Sequence, residues 1–400
     1  MKQKNSKLIK FVTRVVFLAF VKPFLFLKYK YHVKTKYKIR KGEPVLVLSN
    51  HQTDLDPLYV HWSFNRVLHC VATDTIFKKG FIGWFLKRVG AIPKRKGLAD
   101  LGTNMEIIKS IKNGDSVLLF AEGNRTYADF QFYITDKISR LLKAVKCTVV
   151  LYNLHGGTGV FPRFAKKPRK GKFYGEIKMI LEPHDYLEMD DEELSNIIIN
   201  NLRVIDSESG ELYKSNQRAE YLERMFFLCP HCGAVSSLIS NGNTVKCKKC
   251  DFEMEFGEDL KLHKVSKYGP DISIKDWYNL QKRWTLNYLP PKDQVIYEDD
   301  NVTLLSADPY QKREKLYEGK MVLNDHELLF GDIKFPLGNI NIASPISGTK
   351  MAFSDSEHNY LVRGNERFNP LKYVLMFNRL ETNMKLKNND SYYRLEVIEK

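Results

Sequence analysis

The sequence predicts an α/β domain built on a mixed sheet flanked by helices, then a small cysteine-anchored ribbon, then a mostly β domain. Three observations carry this prediction. Short apolar, β-branched runs alternate with helical patterns across residues 41–227, the arrangement expected of strands and helices in layers. Two C-x-x-C pairs fall within residues 228–256. From residue 291 onward, strand-like runs follow one another with only turns between them until a final helix. At 400 residues the chain is also too long for one ordinary core.

The first 40 residues hold an apolar stretch from Leu8 to Leu27, broken by Lys10, Arg14, Lys22 and Pro23, whose longest uncharged run is Val15 to Val21. A bilayer span needs about 20 apolar residues, and a signal peptide needs an unbroken apolar centre with a small-residue cleavage site. Neither pattern is met. The segment reads as an interfacial helix, its cations reaching up to lipid phosphates. A basic stretch, Lys28 to Lys41, follows.

Pro44 to Ser49 reads as a buried strand and leads directly into Asn50-His51. Helical patterns cover 74–89 and 98–112; Val117 to Phe120 is a second buried strand, ending at Glu122-Gly123, and Cys147 to Tyr152 is a third. An acidic helix over 190–204 and a helix carrying Ala219, Leu222 and Met225 close this domain. Residues 257–290 form a connector with a Trp-containing helix, 274–288. Strands are expected at 294–306, 318–330, 333–342, 350–354 and 360–362. Asn369 is the N-cap and Pro370 the first residue of the last helix. Strands closed by one C-terminal helix resemble a pleckstrin-homology or GRAM-like barrel.

Two polar motifs stand at strand ends, where an α/β sheet keeps its functional groups. In Asn50-His51-Gln-Thr-Asp54-Leu-Asp56-Pro57, a His five residues before an Asp can fold back onto the carboxylate. Such a pair fixes one tautomer and stabilises the imidazolium that forms when the ring takes a proton. In Phe120-Ala-Glu122-Gly123-Asn-Arg125, the Gly lets a ligand approach the backbone, Glu accepts from hydroxyls and Arg can clasp phosphate. A third block, Gly90-Ala-Ile92-Pro93-Lys94-Arg95-Lys96, delivers three cations from one turn. Each alone is more often a plain surface turn.

In chain order, with the Gly90 block between the other two, the three blocks resemble the glycerol-phosphate and lysophospholipid acyltransferase superfamily, nearest to the bacterial 1-acylglycerol-3-phosphate acyltransferases, over about residues 40–165. The resemblance implies an acyl group passing from acyl-CoA or acyl carrier protein to a lysophosphatidate hydroxyl. His51 would be the base and Asp56 its orienting partner. Glu122 and Gly123 would place the acceptor glycerol, and Arg125 with a cation of the third block would hold its phosphate. Ala121 stands where the family has Pro, and the run Lys94-Arg95-Lys96 is more basic than usual. Arg95 is favoured over Lys96 because only a guanidinium offers bidentate phosphate contact.

Cys229, Cys232, Cys247 and Cys250 form two knuckles, C-P-H-C and C-K-K-C, fourteen residues apart. This is zinc-ribbon spacing: four thiolates around a tetrahedral Zn²⁺ leave no open position, so the metal is structural. His231 is a bystander; Cys70 and Cys147 read as small buried apolar residues.

A formal charge of +16 calls for an anionic partner: nucleic acid, an acidic carrier or an anionic membrane surface. The ribbon's only cations are Lys246, Lys248 and Lys249, which argues against nucleic acid. A catalytically inactive lipid-binding scaffold is the other alternative; intact His51 and Asp56 argue against it. The expected location is the cytoplasmic face of a membrane, held peripherally.

Overall fold

A computed structural model describes residues 12, 16–73, 77, 80–94, 101–127, 129–131, 134–135, 137–265, 270–308, 311 and 313–387. The chain divides into two compact units, one of residues 1–162 and 167–214, the other of 163–166 and 215–400.

The first unit is built on strands β1 (Tyr31–Val33), β2 (Val45–Ser49), β3 (His69–Thr73), β4 (Ile92–Lys94), β5 (Val117–Phe120), β6 (Thr148–His155) and β7 (Phe173–Leu181). They form one sheet in the order β1-β7-β6-β2-β5-β3-β4. From β6 to β4 neighbouring strands are parallel; β7 runs antiparallel to β6, with β1 parallel to β7, so the sheet is mixed. All five residues of β2 are buried, as an uninterrupted apolar run covered on both faces must be. Helices α1 (Lys22–Tyr29), α2 (Asp56–His61), α3 (Gly80–Arg88), α4 (Leu101–Lys112), α5 (Ile138–Val145) and α6 (Asp191–Leu202) flank it. Ile107 and Ile111 of α4, Leu142 of α5, and Ile198 and Leu202 of α6 join Leu46, Leu48, Val117, Val149 and Leu151 in one core cluster. Asp190 caps α6, its side chain accepting the Glu192 amide, and three acidic residues follow in the first turn, which favours that end electrostatically.

In the second unit, β8 (Leu238–Asn241), β9 (Thr244–Cys247), β10 (Glu253–Phe256) and β11 (Leu262–Lys264) make the ribbon sheet. Helix α7 (Ile274–Asn287) follows. Then come β12 (Tyr297–Ser306), β13 (Lys315–Leu323), β14 (Glu327–Phe330), β15 (Ile333–Pro336), β16 (Ile342–Ser347), β17 (Lys350–Ser354), β18 (Asn359–Arg363) and α8 (Pro370–Lys387). These seven strands form an antiparallel sheet ordered β15-β14-β13-β12-β18-β17-β16. Asn369 caps α8 by accepting the Lys372 amide, and Tyr373, Val374, Met376, Phe377 and Leu380 pack into the sheet's apolar core.

Three expectations change. The stretch 318–330 is not one strand but β13 and β14, folded at Asn324, whose Oδ1 accepts the His326 and Glu327 amides. The stretch 333–342 is not one strand either: β15 ends at Pro336, a 3₁₀ turn Leu337–Asn339 follows with the Leu337 amide donating to His326 O, and β16 begins only at Ile342. The helix expected around Ala219, Leu222 and Met225 shrinks to a single 3₁₀ turn, Leu222–Arg224. Tyr221 sits at φ 71°, its amide donating to Ser240 Oγ while the Ala219 amide donates to Gly242 O. Bonds to the ribbon outcompete local helix propensity there.

Candidate active site and thiolate centre

In the sheet, Ser49 of β2 lies opposite Phe120 of β5. The residues that follow each strand therefore emerge side by side at the carboxyl edge: Asn50-His51 from one, Ala121-Glu122-Gly123 from the other. Main-chain bonds hold them together, the Ala121 amide donating to Ser49 O and the Thr126 amide to His51 O. Asn50 continues the pairing with its side chain, donating to Leu154 O and accepting the Leu154 amide on β6.

The His51 ring stacks on Phe120, centroids 4.2 Å apart and planes 22° apart, and its Nδ1 lies 2.8 Å from Asp56 Oδ2. The same Oδ2 accepts the Gln52 and Thr53 amides at 2.6 and 2.9 Å, while Oδ1 accepts Thr53 Oγ1 at 2.5 Å. Asp56 is fully buried and the His51 side chain is 21% exposed. With a carboxylate on Nδ1, the ring proton sits there and Nε2 is left as the acceptor. The spacing alone would not have singled out this histidine. His69 also stands five residues before an aspartate, Asp74, which lies outside the described residues. His69 is buried beneath Gly90, where any Cβ would meet its ring.

Glu122 is buried and its Oε1 accepts the His51 amide at 3.3 Å. Gly123 has φ 68°, a left-handed conformation that glycine adopts without strain. The point a Cβ would occupy lies 3.6 Å from Lys94 Nζ, so the end of β4 brings a cation to the glycine. Arg125 is buried and its Nη1 lies 2.8 Å from Asp54 Oδ2. This ties the Phe120–Arg125 motif to the middle of the His51 motif. Arg95 and Lys96 lie outside the described residues. Burial pushes the Cys70 thiol up to about 12 and the Cys147 thiol up to about 11. Neither is a thiolate near neutral pH, which removes both as nucleophiles.

Behind the His51 loop lies a group the sequence reading missed. Gln52 Nε2 donates to Asp206 Oδ2, and Asp206 in turn donates its amide to Asp129 Oδ1. No local spacing announces partners 77 and 154 residues apart in sequence.

In the other unit, Cys229, Cys232, Cys247 and Cys250 bring all four sulfurs within 4.8 Å of one another. The Cys229–Cys250 and Cys232–Cys247 separations are both 3.8 Å. Four sulfurs at about 2.3 Å from a tetrahedral centre would stand about 3.8 Å apart, so the cluster fits a metal tetrathiolate.

Residues 30–161 match the family described as Acyltransferase, and this third of the chain is an acyltransferase domain. Among solved structures, the 1-acyl-sn-glycerophosphate (LPA) acyltransferase PlsC from Thermotoga maritima matches at 17% identity, over 48% of this chain and 76% of its own, with a TM-score of 0.39. No curated protein matches the chain.

Proposed function

We propose that the acyltransferase domain carries a fatty acyl group from the thioester of acyl-CoA or acyl carrier protein to the free hydroxyl of lysophosphatidate or a related lysophospholipid. The observation that supports this best is the 2.8 Å His51–Asp56 pair beside Glu122 and Gly123. His51 Nε2 takes the acceptor's hydroxyl proton as the oxygen attacks the thioester carbonyl carbon. The C–S bond then breaks and the imidazolium returns its proton to the departing sulfur. Asp56, held by four hydrogen bonds, fixes the ring and stabilises its charged form. Glu122 and Gly123 receive the acceptor's glycerol. Arg125 and a cation of the third block, Arg95 in the family pattern and Lys94 by its approach to Gly123, face the acceptor phosphate.

The working surface is an anionic membrane, bound peripherally on its cytoplasmic face. The whole formal charge of +16 is carried by residues 1–100, which hold 21 Lys and Arg against 5 Asp and Glu. Within this segment Val12, Val16, Phe20, Phe24, Phe26, Leu27 and Trp84 are exposed. Lys28 lies over Phe24, Lys30 over Phe26 and Arg88 over Trp84. Apolar rings rimmed by cations match the headgroup layer. Among the described residues no helix is long and apolar enough to cross a membrane.

The four cysteines hold a structural Zn²⁺, which joins the two knuckles without entering the chemistry. The seven-stranded sheet with α8 supports a PH/GRAM-like reading of residues 291–400. Incubating the purified protein with acyl-CoA or acyl carrier protein thioesters and lysophosphatidate tests the main claim; phosphatidate is the expected product. No product with either donor and any lysophospholipid would leave the inactive scaffold as the reading.

A further inference from the structure

Asp206 and Asp129 are both buried, at 1% and 8% exposure. Among the described residues neither forms an ion pair with Lys or Arg. Their charges are met by N–H groups and, at Asp129, also by the Ser207 side chain. Asp206 Oδ1 accepts the Gly156 amide at 2.7 Å; its Oδ2 accepts the Thr158 amide at 3.1 Å and Gln52 Nε2 at 3.1 Å. Asp129 accepts the Asp206 and Ser207 amides at 2.7 and 2.6 Å. Burying two neighbouring carboxylates without a cation is expensive, and apolar side chains would fill the same space more cheaply. The expense is explained by what the pair holds.

Gln52 is the residue after His51, and both ends of its amide are engaged. Oε1 accepts the Gly157 amide at 2.8 Å and Nε2 donates to Asp206. Its backbone N–H is one of the donors on Asp56 Oδ2, the oxygen that also orients His51. The turn packs so closely that a Cβ at Gly157 would sit 2.6 Å from Gln52 Oε1.

We infer that Asp206 is a positioning residue for the His51–Asp56 pair, acting through Gln52. Taking the acyl-transfer reading of the site as its premise, the geometry makes Asp206 the fixed point against which the His51 loop is aligned. The loop's own contacts hold the imidazole to Asp56; Asp206 and Asp129 hold the loop to the 156–158 turn.

The test uses the full chain with Gln52→Leu, Asp206→Asn and the double variant. Misplacing a reacting group by about 1 Å costs on the order of 100-fold in rate. Each single variant should therefore lose roughly 10- to 100-fold in kcat with the KM for donor and acceptor unchanged. The double variant should be no worse than the worse single one. If Asp206 merely held its own turn, the losses would multiply, or Gln52→Leu would keep kcat within about twofold of wild type; either result overturns the inference. Should Asp206→Asn fail to fold, Gln52→Leu and Gly157→Ala decide, since both disturb the link while leaving the carboxylate pair in place. Amide exchange gives an activity-independent readout. The Gln52 and Thr53 amides should exchange at least about tenfold faster in Gln52→Leu while those of β5 stay protected, and unchanged exchange overturns the inference. A wild-type protein that acylates nothing would refute the proposed function and leave the exchange result to decide this one.

Discussion

His51 Nδ1 and Asp56 Oδ2 are 2.8 Å apart, and the carboxylate that makes this bond is also the anchor for the Gln52 and Thr53 amides. One buried group thus sets both the tautomer of the ring and the path of the loop that carries it. His51→Ala should lower kcat by about 10²- to 10⁴-fold, the usual range for losing a general base. Asp56→Asn should lose nearly as much, because an amide can present N–H to Nδ1 and invert the tautomer. Steady-state rates measure both; retention of more than about a tenth of wild-type kcat in His51→Ala removes it from the base role.

The Arg125–Asp54 pair separates two roles for the guanidinium. If Arg125 reads the acceptor phosphate, Arg125→Lys should raise the KM for lysophosphatidate more than that for the acyl donor, because charge survives but the bidentate fork does not. Asp54→Asn should then leave the acceptor KM unchanged or lower it, since the competing carboxylate is gone. Matching losses in both variants would mean that Arg125 serves only to brace the His51 loop.

Much of this site was legible because it is local. β2 and β5 are continuous apolar runs that end abruptly in polar motifs, and a buried strand followed by Asn-His or Glu-Gly needs no tertiary information to be noticed. β1, β3 and β7 went unread for physical reasons. β1 is three residues inside a basic stretch, β3 is only partly buried, and β7 lies beyond the parallel core with a broken burial pattern. Asp129, Asp206 and the pairing of Arg125 with Asp54 depend on chain segments brought together only by the fold. The same holds for Tyr221, whose left-handed backbone, with its amide bonded to Ser240, precedes the single 3₁₀ turn that stands where a helix was expected.

Zinc is expected at one equivalent per chain, measured by elemental analysis of freshly purified protein. A thiol reagent should find Cys229, Cys232, Cys247 and Cys250 protected until a chelator is added. Cys70 and Cys147 should stay unreactive until the chain unfolds, since burial raises both thiols. A metal-free folded protein with four reactive thiols would end the tetrathiolate assignment.

Membrane association should be electrostatic and apolar together. Vesicles containing anionic lipid should bind the protein and neutral ones far less. Salt should release much of the bound fraction by screening the cations, and Phe20→Glu with Leu27→Glu should weaken binding even at low salt. A bound fraction resistant to both salt and alkaline wash would point to a spanning segment instead.

The buried carboxylate pair also predicts how stability depends on pH. Burial, and after it the Asp129 charge, push Asp206 up to about 7; burial raises Asp129 in the same direction, with Glu208 adding to it. Tyr213, which feels the Asp206 charge, is itself raised and stays neutral across this range. An unfolded Asp titrates near 4, so between about 4 and 7 the folded chain holds a proton at Asp206 that the unfolded chain has released. Its contribution to stability is complete below about pH 4 and is lost as pH rises through about 7. Other carboxylates are depressed and act oppositely, among them Asp259, Asp308 and Asp355, so the effect is read as a difference between proteins. Asn carries no charge at any pH and resembles the protonated acid. Urea unfolding should therefore show wild type at its greatest advantage over Asp206→Asn near pH 4, shrinking steadily through about pH 5 to 7 and gone by about pH 8. An advantage that grows with pH would mean that the carboxylate is stabilised as an anion, and that its N–H partners outweigh both burial and Asp129.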